Sequence, residues 1–363
     1  MSLSVGIIGM PNVGKTTLFN ALTQVGADAS NYPFCTKDQN IGMAQVPDKR
    51  LERLNELLRP KECTPTFIEF IDIAGLVRGA SRGEGLGNRF LGHIREVDAV
   101  LHVVRCFEDE NVAHVDGTVD PVRDVEVVEA ELMSADLASV EQAVLKQAKA
   151  VRAGVKDAQK TLDVLRKIKS GLEGGTSIRA LGLSKEEQET AMEYHFLTAK
   201  PTLYVANVEE DDVDGTSERV QRLKEAVGSK EVIPISAEIE EEIGELENEE
   251  ERTAFLADLG LEETGLNRIV WASYRLLNLI TFYTIAHDKL RAWQVVDGTT
   301  AQEAAGRIHS DMERGFIRAE VMTYEDVAQY KTMAELHRHG RVRAEGKEYV
   351  MREGDVVHIL FKV

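Results

Sequence analysis

A chain of 363 residues exceeds what one compact core usually holds, so two or three domains are expected, and its 43% hydrophobic and 29% charged content is ordinary for a globular protein. The formal net charge of −19 repels nucleic acid and anionic membranes, so DNA sequence recognition is not expected and any RNA contact must use a local basic patch. The three cysteines, Cys35, Cys63 and Cys106, lack metal-ligand spacing and suggest a reducing compartment without a disulfide framework.

The chain enters an apolar strand, Val5–Ile8, with no basic leader before it, and no stretch approaches membrane-spanning length. A cytoplasmic protein with no membrane partner is therefore expected. Gly9-Met10-Pro11-Asn12-Val13-Gly14-Lys15-Thr16 follows the strand and opens a segment of helical spacing. It reads G-x-x-x-x-G-K-[ST], a loop whose glycines let the backbone approach phosphate oxygens while a helix N-terminus points free N–H groups at the anion. Lys15 supplies charge to the β- and γ-phosphates, and the Thr16 hydroxyl can ligate Mg2+.

Ala29 to Thr36 is a turn-rich loop that can reach back over a γ-phosphate, which makes Thr36 a candidate second Mg2+ ligand. The segment 66–71 reads as a strand ending in Asp72-Ile73-Ala74-Gly75, a D-x-x-G arrangement. Its carboxylate would hold Mg2+ through water and its Gly75 N–H would sense the γ-phosphate. Leu76 occupies the position where Ras-type GTPases carry a water-orienting glutamine, and a leucine makes no hydrogen bond. Either hydrolysis is feeble or another group contacts the water. The glycine-rich run Arg78 to Asn88 reads as a nucleotide-ordered lid. His102, inside the strand 99–105, reads as a core residue. His93, in the helix after the glycine loop, and His114, in the loop after the strand, are candidates for touching the reaction.

From Asp120 to about Lys200, Val125, Val128, Leu132, Leu137, Val140 and Val144, then Leu162, Leu165 and Ile168, recur at helical spacing. This is an antiparallel helical hairpin, with a Ser184–Glu187 capping box opening a further helix to about Leu197. Its stripe is either its own seam or a partner-binding arm. A strand returns at 201–206, so the hairpin is an insertion, and at the strand tip stands Asn207-Val208-Glu209-Glu210. A GTPase carries N-K-x-D there. Here the lysine is Val208 and the aspartate Glu210, so guanine selectivity is expected to weaken. After a strand at 231–235, Ser236-Ala237 forms the loop that closes over the base edge. The acidic run from Glu238 to Glu251 reads as a solvated helix face. Strands at 290–296, 316–321 and 355–361, a helix from Thr300 to Met312 and a hairpin near Gly346 describe a small α+β unit. Its basic run His337 to Arg343 is either a solvated loop or an RNA contact.

Asn31 to Thr36, Asp72 to Gly75 followed by leucine, the G-E-G-L-G-N loop, Asn207-x-x-Glu210 and the C-terminal unit together resemble, over essentially the whole chain, the YchF branch of the Obg-like ATPases. The resemblance implies an α/β P-loop NTPase, with a mostly parallel sheet and a Ras-like G domain, carrying an inserted α-helical hairpin and a C-terminal ubiquitin-like (β-grasp) TGS domain. The expected boundaries are 1–118 with 199–280 for the nucleotide-binding domain, 119–198 for the insertion and 281–363 for the TGS domain. It also implies Mg2+-dependent hydrolysis of ATP in preference to GTP, and a ribosome or other RNA-containing partner. Carried over by position, Asn12, Val13, Gly14, Lys15, Thr16 and Thr17 hold the phosphates, Thr16, Thr36 and Asp72 serve the metal, and the Val208 backbone meets adenine. A histidine matching His114 substitutes for the missing glutamine, which places His114 ahead of His93.

Overall fold

The structure is a computed structural model that describes residues 3–24, 40–73, 86–109, 111–115, 117–228, 230–246 and 248–362. In chain order its first elements are β1 (Ser4–Ile8), α1 (Lys15–Gln24), β2 (Ile41–Gln45), α2 (Lys49–Leu58), β3 (Glu62–Thr64), β4 (Phe67–Asp72), α3 (Leu86–Glu96) and β5 (Ala99–Arg105). Then come α4 (Pro121–Arg152), α5 (Ala158–Glu173), α6 (Lys185–Glu193), β6 (Thr202–Asn207), α7 (Glu218–Val227), β7 (Val232–Ile235), α8 (Ala237–Glu245), α9 (Glu249–Asp258) and α10 (Gly265–Leu276). The chain finishes with β8 (Leu279–Ala286), β9 (Lys289–Val296), α11 (Ala301–Ile308), α12 (Ser310–Arg314), β10 (Phe316–Thr323), α13 (Tyr324–Tyr330), α14 (Met333–Arg338), β11 (Arg343–Glu345) and β12 (Asp355–Phe361). These fall into two compact units, 1–44 with 69–269, and 45–68 with 270–363.

The first unit is built on a sheet of order β2-β4-β1-β5-β6-β7, in which β1 pairs in parallel with β4 and β5, β5 with β6, and β6 with β7. Every residue of β1, β5 and β6 is buried, as a parallel sheet covered on both faces requires. The register sets Ile7 beside Asp72, Arg105 beside Asn207, and Asn207 beside Ile235. The residues singled out at the strand tips therefore share the carboxyl edge of one sheet, the edge where open α/β sheets bind ligands.

The insertion is α4, α5 and α6. Asp120 caps α4 by accepting the Arg123 N–H, with Pro121 in the first turn. Val140, Ala143, Leu165, Ile168 and Leu172 are buried together with Ile178 and Phe196, so the apolar stripe is spent on the chain's own seam. The Ser184–Glu187 capping box forms, but α6 stops at Glu193, short of Leu197. His195 takes a left-handed φ of 51°, and the Leu197 and Thr198 N–H groups turn to the buried Asp136 carboxylate at 2.8 and 2.7 Å. Those bonds replace what another helical turn would have made.

The second unit has sheet order β11-β10-β12-β8-β9-β3. β8 and β9 form an antiparallel hairpin, β12 returns parallel to β8 at the centre, and β10 flanks β12 antiparallel. Helix α11, with a Thr300–Glu303 capping box, buries Ala301, Ala304 and Ala305 against Phe282, Val295, Val321 and Val357. That is the arrangement of a β-grasp fold. The helix expected from Thr300 to Met312 is two helices, because His309 is extended at φ −162° and its ring nitrogen accepts the Asp311 N–H.

Residues 45–68, expected in the nucleotide-binding part, cluster with this unit instead. Leu51 and Leu54 of α2 bury against Tyr283, Leu290, Met322 and Val356, β3 pairs in parallel with β9, and the Tyr283 hydroxyl donates to Asp48 at 2.6 Å. The amphipathic face of α2 finds its apolar partners more than 200 residues along the chain, a pairing that local spacing does not report. In the basic run, Arg338, Arg341 and Arg343 each pair with a carboxylate, those of Glu335, Asp326 and Glu345. His339 stacks on Tyr330. Much of that charge is balanced within the unit.

Candidate functional site

The phosphate loop is shaped by two glycines. Gly9 has φ +152° and a side chain there would meet the Val103 carbonyl at 2.3 Å; Gly14 has φ +92° and a side chain would meet Asn207 Nδ2 at 2.3 Å. Helix α1 starts at Lys15 and its ladder opens with Leu18 N–H donating to Gly14 O at 2.9 Å. The N–H groups of Lys15, Thr16 and Thr17 precede that first bond and are the donors a helix offers to an anion.

The Lys15 ammonium is buried and donates to the Met10 carbonyl at 2.6 Å, across the loop. Burial pushes its pKa down to about 8 against the opposing pull of Asp72. A triphosphate beside it would restore the charged form, so binding should take up a proton near that pH. The sign follows from linkage: the group is charged below its free-state pKa, and above it the free protein must first be protonated. Nucleotide affinity should be level below about pH 8 and weaken above it, approaching tenfold per unit until the bound-state pKa is reached. Titration calorimetry in buffers of different ionisation enthalpy reads the proton uptake directly, and an affinity unchanged from pH 7 to 9.5 would contradict it.

Thr16 Oγ1 donates to Asp72 Oδ2 at 3.0 Å, joining the helix start to the tip of β4. The other oxygen, Asp72 Oδ1, is buried and has no hydrogen-bond partner among the described residues. An orphaned carboxylate oxygen beside a hydroxyl, with no sulfur or imidazole in the pair, is an all-oxygen donor set suited to a hard cation such as Mg2+. Among the described residues no three His, Cys, Asp or Glu side chains gather as a protein-only metal cage, so phosphate oxygens and water would complete the shell. Thr36, Gly75, Leu76 and residues 78–85 of the lid lie outside the described residues.

At the base side, Asn207 is buried and bridges two loops. Its Nδ2 donates to Val13 O at 3.0 Å and its Oδ1 accepts the Ala237 N–H at 3.1 Å. Ser236 caps α8, its hydroxyl accepting the Ile239 N–H. Val208 N–H is committed to Ile235 O at 2.9 Å, and its side chain is buried among Val104, Cys106 and Val220. The Val208 side chain thus holds a core position, at a place where the resemblance expects only the backbone to meet adenine. Glu210 is exposed at the start of the turn Glu210–Asp212.

The three histidines separate. His102 is buried, packs on Tyr204 and is held neutral, its pKa pushed down to about 3 by burial and nearby cations. His93 is exposed on α3. His114 Nε2 lies 2.9 Å from Asp124 Oδ2 in the first turn of α4. The loop that carries it reaches the phosphate loop through Asn12, whose Nδ2 donates to Ala113 O at 3.1 Å. Sequence reasoning missed Asp124, which looks like any acidic residue in a first helical turn. It also missed Arg105, whose buried guanidinium donates to the carbonyls of Phe107, Asp109 and Val112 and so shapes the loop before His114.

Together the parallel sheet, the loop before α1, the Thr16–Asp72 pair and the Asn207 bridge define a P-loop NTPase of the GTPase class. Two family models match, one described as a 50S ribosome-binding GTPase over residues 4–131, the other a YchF C-terminal model described as a protein of unknown function over 279–362. Along its whole length the chain is 50% identical to the ribosome-binding ATPase YchF of Bacillus subtilis and 48% identical to that of Escherichia coli O157:H7, covering all of both. The solved structure of the Schizosaccharomyces pombe YchF GTPase matches with a TM-score of 0.89 and 37% identity, over 99% of this chain and 98% of that one. The chain belongs to the YchF family.

Proposed function

We propose that the protein is an Mg2+-dependent ATPase that binds the ribosome and changes the surface it offers with the state of its nucleotide, working in the cytoplasm. The carrying observation is the Lys15, Thr16 and Asp72 group, with a buried charge beside an unsatisfied carboxylate oxygen. Curated relatives across the full length are named ribosome-binding ATPases, which supports hydrolysis and the partner together. Asn12 to Thr17 surround the phosphates, with Lys15 neutralising charge that builds on the transferred group. Thr16, Thr36 and Asp72 would hold Mg2+, and the ion would supply positive charge that offsets the charge of the phosphates. Gly75 senses the γ-phosphate, and His114 does the water positioning that Leu76, standing where other GTPases carry glutamine, has no polar group to do.

The name of the S. pombe relative says GTPase where the bacterial names say ATPase, so the base choice rests on the loop itself. With the Val208 N–H used by Ile235, its carbonyl is the group left for a base. A carbonyl accepts from the amino group of adenine and opposes the O6 of guanine. Glu210 reaches too far to accept both guanine donors at the aspartate's distance, and the Ser236–Ala237 backbone closes the edge.

The test is steady-state turnover of ATP and GTP, with and without ribosomes and Mg2+. The expected result is an ATP preference, loss of turnover on chelation and a ribosome effect that depends on nucleotide. A Glu210→Asp substitution should shift the preference towards GTP by about tenfold. Val208 should be left alone, since a lysine there would be driven into the apolar cluster and would confound selectivity with stability. Equal turnover of both nucleotides would overturn the ATP preference, and ribosome binding indifferent to nucleotide at negligible turnover would favour a static binding module instead.

A further inference from the structure

We propose that Asp124 is a restraining residue for His114: it holds the imidazole on the first turn of the inserted helix α4, and hydrolysis requires the ring to leave it. The proposal rests on the reading of His114 as the water-positioning residue and adds what controls it.

Both side chains are enclosed, His114 at 4% and Asp124 at 2% exposure, with Nε2 and Oδ2 2.9 Å apart. While the carboxylate is ionised it can only accept, so Nε2 carries the hydrogen. The enclosure separates restraint from orientation. A carboxylate that orients a working histidine leaves the ring's far side open to substrate. Here the ring is closed in, and to touch water at a phosphate it must turn out.

The surroundings limit how that can happen. On one side Arg105 fixes the carbonyls of Phe107, Asp109 and Val112, with Nε and the two terminal nitrogens at 3.1, 3.3 and 2.9 Å to Phe107, Asp109 and Val112 respectively. On the other, the helix start is pinned by the Asp120 cap and by Arg123 Nη1 donating to Thr118 Oγ1 at 3.1 Å. Arg123 also lies 3.6 Å from the second Asp124 oxygen, which keeps that carboxylate in place. Ala113, His114 and Val115 lie between these two anchors, and Asn12 ties Ala113 to the phosphate loop. A rotation of this short segment carries the ring without dismantling either anchor. Because Asp124 belongs to α4, a displacement of the helical arm by a bound partner would weaken the contact and release the ring.

The experiment compares wild type, Asp124→Ala, Asp124→Asn, His114→Ala and the double variant His114→Ala/Asp124→Ala in ATP turnover, with thermal unfolding and nucleotide binding as controls for folding. Losing one hydrogen bond to a carboxylate should raise the released population, and with it kcat, about tenfold in Asp124→Ala, with KM unchanged. Asp124→Asn keeps an acceptor without the charge and should fall between; it is the variant to read if the alanine protein does not fold. In the His114→Ala background the Asp124 substitution should add nothing, because the restraint then has no ring to hold. A lower or unchanged kcat in folded Asp124 variants, alongside a slow His114→Ala, overturns the restraint and leaves the water-positioning reading standing. A wild-type rate in His114→Ala removes that reading itself, and the proposal with it.

Discussion

Replacing Lys15 with alanine should lower ATP turnover by about a thousandfold, while the protein stays folded. The substitution removes a buried cation that burial has already destabilised, so the folded chain loses little by its absence. What disappears is the one charge positioned inside the loop, held by the Met10 carbonyl where phosphate oxygens would arrive. The preorganisation matters because the ammonium need not be desolvated again when charge builds on the γ-phosphate. Arginine should not rescue it, since a planar fork cannot occupy a pocket shaped for a single Nζ. Single-turnover kinetics separate the two effects: binding weakened with unchanged chemistry would relocate the role of Lys15 to ground-state affinity.

Asn207→Ala should be the most damaging change outside the phosphate loop. It strips two buried hydrogen bonds and leaves the Val13 carbonyl and the Ala237 N–H without partners. At roughly 1–3 kcal/mol for each buried group left unsatisfied, a loss of about 3 kcal/mol in stability is expected. Nucleotide affinity should fall about a hundredfold, because the same side chain holds the phosphate loop and the base loop in register. Thermal unfolding with and without ATP checks both parts. A variant that loses stability but binds as tightly as wild type would show that the two loops are aligned by the sheet alone. Gly14 lends the bridge its geometry, since a side chain at that position would collide with Asn207.

The phosphate loop, Asp72 at a strand tip and Asn207 at another were legible in the chain because their chemistry is local. A turn that needs glycine, a helix that must start at Lys15 and apolar runs long enough for buried strands all lie within a few residues of one another. The capping box at Ser184 and the seam of the helical insertion follow the same rule. Whatever depended on distant residues was decided by tertiary structure. Residues 45–68 entered the second unit because Leu51 and Leu54 meet Tyr283 and Val356 there. Val208 became a core residue because α7 and β5 supply its neighbours. His114 was singled out from the sequence, but its partner was not, because a hydrogen bond between two side chains ten residues apart depends on how a loop is folded by Arg105 and Asn12. Residue types and spacing thus picked out the phosphate loop and the strand-tip residues Asp72 and Asn207. Only the packing of elements far apart in the chain decided which of them are free to act and which are held.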